Sequence, residues 1–371
     1  MDTTPRARWP LGLVGMLALV ATVEAAFARH PLRFSDTASL SWRLSVDAVA
    51  REAKRCEVAC LGDSLVKIGV VPEAIRAGSG RSSYNFAMAQ APAPATYFLL
   101  RRLLEAGGRP SALIVDFKPS ILAGGPKYGI RHWQAFLTPR ECLEMARDSG
   151  GAGMMAEIVL GRLLPSYRDR LEIREAVASA LKGEPAPTFA TNRLAERNWG
   201  VNLGAHLNSP RQTFSGDIPA ETHRKLLSDG WKCHKYNALA VDRLLALAGS
   251  RGIPVYWLIP PLPPALQGRR ERSGVDGAFV AFVRSMQAKH PGVTVVDGRH
   301  AGYEDAAFAD HTHLNGRGAM TMSHDLAAIV GRPPGPARWV ELPRFRDRAP
   351  DVRAEDVDQS RLALEAEAAR R

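Results

Sequence analysis

Short apolar runs at residues 58–61, 83–88, 112–117, 254–259 and 293–296 punctuate this chain, and none of them alternates apolar with polar positions for long. A strand covered on one face alternates, whereas a strand covered on both does not, so the pattern predicts about five strands of a buried parallel sheet. Between the runs, residues 97–104 and 236–248 repeat apolar side chains at helical spacing, and Gly107, Gly108, Gly249 and Gly252 stop those helices. A lead-in helix is predicted over 38–54 from Leu40, Trp42, Leu44, Val46 and Val49. Strands alternating with helices imply a three-layer α/β/α fold, in which functional side chains gather beyond the carboxyl ends of the strands.

Three stretches depart from that rhythm. Residues 124–234 are too many for one crossover and carry helical patterns at 139–147 and 167–181, so they are expected to form a large helical insertion capping the strand ends. After Gly331 the composition shifts to Pro, Arg and Glu, starting with Pro333-Pro334-Gly335-Pro336, and residues 332–371 are expected to form a tail with one surface helix around Val357, Leu362 and Leu364. At the other end, residues 9–23 are uncharged, preceded by Arg6 and Arg8 and followed by Glu24. Together with Ala25 to Ala28 they are long enough to cross a bilayer. As an uncleaved anchor, residues 1–30 would keep Arg6 and Arg8 in the cytoplasm. As a signal peptide they would end at Ala26-Phe27-Ala28. Both readings place residues 31–331, the domain proper, outside the cytoplasmic membrane.

The formal charge of +11 is dispersed, with no dense Lys/Arg block and no aromatic-interleaved basic stripe, so a nucleic-acid partner is not expected. A basic surface outside the cytoplasm suits acidic polysaccharide or anionic lipid. The four cysteines form no metal pattern. Cys56 and Cys60, four apart on the first strand, would lie about 13 Å apart and could not bridge. Cys142 and Cys233, both in the insertion, could pair in an oxidising compartment. The Pro260-Pro261-Leu262-Pro263-Pro264 stretch after the fourth run would be a stiff loop, able to line a pocket or merely to space elements.

Candidate chemistry lies at two points. The first apolar run ends in Gly62-Asp63-Ser64-Leu65, a turn that would present a serine hydroxyl, and far downstream stand Asp310, His311, Thr312 and His313. A serine hydroxyl becomes a nucleophile when a histidine takes its proton and a carboxylate holds that histidine in one tautomer, roles that Ser64, His313 and Asp310 fit by type. His311, His313 and Asp310 could instead ligate a metal, but no further Cys/His cluster accompanies them, so neither metal nor cofactor is expected. Asp63 is expected to tie the turn and Asn315 to cap a helix starting near Gly316.

With these motifs, residues 55–330 resemble the SGNH, or GDSL, hydrolase superfamily. The resemblance implies a flavodoxin-like fold, with Ser64 as nucleophile and Asp310 and His313 completing its triad. It also locates departures. In the stretch from Tyr84 to Gln90, Asn85 fits the family's second block, but Gln90 stands where a glycine normally lends its N–H to the oxyanion. The third block, Gly-x-Asn-Asp, is replaced by Lys118-Pro119-Ser120 after the third run. Asn85, Gln90, Lys118 and His132 are the candidates for oxyanion or substrate binding. Such departures are similar to those of divergent envelope members, including O-acetyltransferases of alginate and related polymers. The activity implied by resemblance is that of a serine esterase or O-acyltransferase working through an acyl-serine on a small ester or an acylated envelope carbohydrate. The alternative is a non-catalytic scaffold that binds a glycan or a protein partner.

Overall fold

A computed structural model describes residues 11–149, 151–218, 230–333, 338–347 and 352–370. Arg6, Arg8 and Pro334 to Pro336 lie outside the described residues. Six strands form one sheet: β1 (Val58–Leu61), β2 (Ser83–Asn85), β3 (Ala112–Val115), β4 (Val255–Ile259), β5 (Val293–Asp297) and β6 (Trp339–Glu341). Their order is β2-β1-β3-β4-β5-β6, and every neighbouring pair is parallel. The sheet lies between helices, an α/β/α architecture with the strand order of doubly wound flavodoxin-like folds extended by one strand.

Successive strand residues feed two separate cores. Ala59, Leu61, Leu113, Val115, Trp257 and Val295 face one layer, packed against helices Ala93–Glu105, Lys235–Ser250 and Val275–Lys289. Val58, Cys60, Ala112, Ile114, Leu258 and Val296 face the other, under helices Pro72–Ser79 and Gly316–Val330. Both faces need apolar residues, which is why these strands read as unbroken apolar runs. Each fully buried Val, Leu or Ile contributes about 1.5–3 kcal/mol.

The sixth strand corrects the expectation of five and of a tail free of the sheet. Trp339 to Glu341 pair with Val295 to Asp297, the Trp339 indole N–H donates to Asp297 Oδ2 at 2.9 Å, and Leu342 closes behind them, 5% exposed. Beyond it the expected surface helix is present at Val357–Ala369, with Asp356 and Gln359 forming its capping box. It docks on the insertion, where Asn198 Nδ2 donates to Ser360 Oγ at 3.0 Å and Arg197 pairs with Glu355 and Glu367.

The insertion is helical as expected, and part of it packs beside the sheet against the lead-in helix. Its apolar faces find a partner in the lead-in helix Thr37–Glu52, where Trp42 meets Trp133 and Phe136 edge-on at 5.2 and 5.0 Å. Glu141, buried against Arg102, ties the same layer to helix Ala93–Glu105. Residues 203–214 reach the edge that carries the candidate site, through His206 N–H to Lys67 O (2.8 Å), Asn208 Nδ2 to Leu314 O (2.9 Å) and Phe214 N–H to Phe308 O (2.9 Å), and Ile218 packs on Leu262 and Leu266 beside them. All four cysteines are free, so Cys142 and Cys233 do not pair. Cys142 is buried in the core while Cys233 Sγ contacts its neighbour's carbonyl, His234 O, at 3.7 Å.

Candidate active site

Ser64 owes its position to the turn before it. Gly62 follows β1 at φ +142°, and Asp63 then caps the helix Ser64–Gly69, accepting the Leu65 N–H at 2.8 Å with one oxygen and the Lys118 N–H at 3.2 Å with the other. The turn is thereby tied to the chain leaving β3, and the hydroxyl stands at the carboxyl edge of the sheet. Asp63 does the tying that its residue type suggested.

Asp310 and His313 sit in a second turn, closed by the Phe308–Leu314 bridge and by Ala309 N–H to His313 O at 2.8 Å. Asp310 Oδ1 accepts the N–H groups of Thr312 (2.7 Å) and His313 (2.9 Å), while its Oδ2 lies 2.8 Å from His313 Nδ1. His313 Nε2 is 2.9 Å from Ser64 Oγ. Burial alone would raise the Asp310 carboxyl, but the His313 ring and the two N–H donors outweigh it and hold the group well below the usual carboxylate range. An ionised Asp310 accepts a hydrogen bond from Nδ1–H and so fixes the tautomer in which Nε2 is free to accept from the serine. Asn315 caps helix Gly316–Val330 as expected, accepting the Arg317 and Gly318 N–H groups at 3.1 Å.

Of the four other candidates, the structure brings one beside this triad. Lys118 lines an apolar pocket with Leu65 and Thr312, the chain neighbours of Ser64 and His313. Leu262 and Leu266 form part of the far wall, so the proline stretch does line a pocket. Asn85 is corrected to a structural role. Its side chain is fully buried, and both amide hydrogens are spent on Val66 O and Val70 O, each at 2.8 Å, so none is left for an oxyanion. His132 is likewise removed from the site: it is buried against Trp42, with Nδ1 bonded to Ser39 Oγ at 2.9 Å, on the side where the insertion meets the lead-in helix. Gln90 is exposed and has φ +58°, so a side chain occupies a backbone conformation that glycine enters without strain.

Two residues of the site escaped sequence reasoning. Asp116, directly after β3, lies under the Ser64 turn and accepts the Asp63 N–H at 3.1 Å. Burial first, and the neighbouring Asp63 carboxylate second, push Asp116 well above the carboxylate range, so the pair avoids holding two buried negative charges. An aspartate ending a buried apolar run was the available signal. The second is His206, which accepts the Trp199 indole N–H at 2.9 Å and lies between Lys67 and the His313 turn. No spacing in the chain marks it.

His206 makes a pH prediction. Burial, with Lys67 adding to it, pulls this imidazole from 6.5 down to about 4. The unfolded chain therefore binds a proton below about pH 6.5 that the folded chain refuses until about pH 4, so stability is lost progressively as pH falls across that window. Thermal midpoints measured from pH 7 to pH 4 should fall less steeply for His206→Gln than for the parent. Equal slopes would remove His206 from the acid response.

The chain matches no protein-family model and no curated protein, so the geometry of Ser64, His313 and Asp310 stands as the ground for a functional reading.

Proposed function

We propose that the protein is a serine esterase or O-acyltransferase of the SGNH type, in which Ser64 attacks an ester, His313 acts as base and then acid, and Asp310 holds and charges the imidazole. The observation that carries this is the unbroken relay from Ser64 Oγ to His313 Nε2 (2.9 Å) and from His313 Nδ1 to Asp310 Oδ2 (2.8 Å). Both contacts lie within the reach that base and nucleophile need, which supports catalysis over a scaffold that only binds.

In the first step the hydroxyl proton passes to Nε2 as Oγ bonds the acyl carbon. The imidazolium then returns that proton to the departing alkoxide, leaving an acyl-serine. Water or a sugar hydroxyl, deprotonated by the same nitrogen, releases the acyl group and regenerates Ser64. The largely apolar pocket beside the triad suits the acyl portion, and Lys118 at its wall suits the developing oxyanion. Helix Leu11–Arg29, apolar and with no buried residue, is long enough to cross a membrane. We read it as an anchor that leaves the site outside the cytoplasm, where an envelope carbohydrate would be the acyl carrier.

Fluorophosphonate labelling of the full chain in detergent tests the reading. Modification is expected at Ser64 and is expected to vanish in Ser64→Ala. An unlabelled protein, under conditions that label a control serine hydrolase, would overturn it. Hydrolysis and transfer separate on incubation with an acyl donor and a carbohydrate, by free acid against acylated sugar.

A further inference from the structure

Four apolar residues on the helix Ala152–Leu163 face outward on a single stripe. Ala156, Val159, Leu160 and Leu163 occupy positions i, i+3, i+4 and i+7, and the last three are 44%, 42% and 69% exposed. The opposite side of the first helix already buries Met154 and Ile158 in the core, so the outward stripe is surplus to folding. Single exposed apolar side chains are ordinary on a protein surface, whereas a contiguous stripe marks a contact.

The position of the stripe names what it contacts. Near the end of the apolar N-terminal helix, the Glu24 carboxylate accepts the Ser166 N–H at 2.8 Å and also the Ser166 hydroxyl. Ser166 lies in the short helix Pro165–Arg168, three residues after Leu163. Glu24 is five residues, or about 7–8 Å of helix, before Arg29 at the end of the apolar helix. The hydrocarbon of a bilayer is about 30 Å thick and needs about 20 residues of helix. The 19 residues from Leu11 to Arg29 rise about 28 Å, close to that thickness. A span that ends at Arg29 puts Glu24 just within the outer boundary of the membrane, and the contact with Ser166 brings Leu163 and its stripe to the same depth. Arg162 and Arg170 flank the stripe in sequence, with guanidinium groups donating to Leu137 O and Tyr167 O.

We propose that the helix Ala152–Leu163 is seated in the lipid–water interface of the bilayer that the N-terminal helix crosses. The occupant of the stripe is the acyl-chain boundary of phospholipid. The domain is thus held by two membrane contacts, one spanning and one lying in the plane, and its orientation over the surface is fixed. A helix bearing apolar residues on one face and arginines beside them typically sinks about 5–10 Å into that boundary. The inference rests on reading Leu11–Arg29 as a membrane span and does not depend on the chemistry of Ser64.

The test uses the full chain in phosphatidylglycerol-containing nanodiscs, on a Cys233→Ser background whose remaining cysteines are buried. Single cysteines introduced as Leu19→Cys, Leu160→Cys, Leu163→Cys and Leu362→Cys carry an environment-sensitive fluorophore. All four positions are exposed, so labelling leaves the core intact. Nitroxide lipid is expected to quench the labels at 160 and 163 roughly two-fold or more over the label at 362, with aqueous iodide showing the reverse order. Strong lipid quenching at 19 together with iodide access at 160 and 163 would overturn the interfacial seat and leave the span standing. Shielding of 160 from both quenchers would also overturn it, in favour of a protein contact. No lipid quenching at 19 would remove the span and this inference with it, while fluorophosphonate labelling of Ser64 would be untouched.

Discussion

Replacing His313 with alanine is expected to lower ester turnover by on the order of 10⁴–10⁶-fold while leaving the fold intact. The side chain is the only proton acceptor bonded to Ser64 Oγ among the described residues, at 2.9 Å, and the hydroxyl left behind has its ordinary, very weak acidity. His313 sits in a turn held by Asp310 and by backbone bonds, all but one of which survive the truncation, so thermal stability should move little. The measurement is steady-state hydrolysis of short-chain aryl esters by the full chain, with circular dichroism as the folding control. Asp310→Asn should cost about 10⁴-fold by offering Nδ1 the wrong partner. Because Asp310 is held far below the usual carboxylate range, it stays ionised from pH 5 upward, so its protonation does not contribute to any loss of rate there. A His313→Ala protein within ten-fold of the parent would refute the assignment of the base.

A second large effect is expected at a residue that touches no substrate. Gly62→Ala should destabilise the chain by about 3 kcal/mol or more and should abolish Ser64 labelling even below the melting transition. An added Cβ would stand 2.1 Å from Asp116 Oδ1 and 3.0 Å from the Asp116 carbonyl oxygen, on a backbone at φ +142°. Relief requires the turn to lift away from the β3 loop, which breaks the Asp63 N–H to Asp116 contact and swings the hydroxyl off the His313 ring. Gly80→Ala is the matched control. Gly80 also has positive φ, +71°, but an added Cβ meets nothing within 4 Å, so only the backbone penalty of about 1 kcal/mol remains. Equal losses in the two variants would show that crowding under the nucleophile has no special cost.

What could be read in advance divides along physical lines. Four strands were legible because burial on both faces writes an unbroken apolar run, β2 because buried Phe86, Ala87 and Met88 follow its three residues, and the Ser64 and Asp310–His313 turns because each ends such a run or precedes a capped helix. The sixth strand was not: Trp339 to Glu341 are three residues, partly exposed, in a Pro- and Arg-rich context, and only pairing with β5 makes them a strand. Candidate polar residues fared worse, since residue type does not reveal where a side chain's hydrogen bonds go. Asn85 spends its amide on two carbonyls and His132 faces Ser39, both decided by contacts distant in the chain. Asp116 and His206 were missed for the same reason. Their perturbed titration arises from burial and from neighbours up to about 140 positions away, Asp63 for one and Lys67 for the other.

The hydroxyl and its base are separated by 249 residues of chain. A polypeptide emerging from the ribosome, or threading through an export channel, carries Ser64 long before it carries His313. Until the final third of the protein has arrived and β5 has joined the sheet, that serine is an ordinary alcohol. On the proposed function, unfinished and misassembled copies are therefore harmless to neighbouring esters, and capture by a fluorophosphonate counts only molecules whose two halves have met.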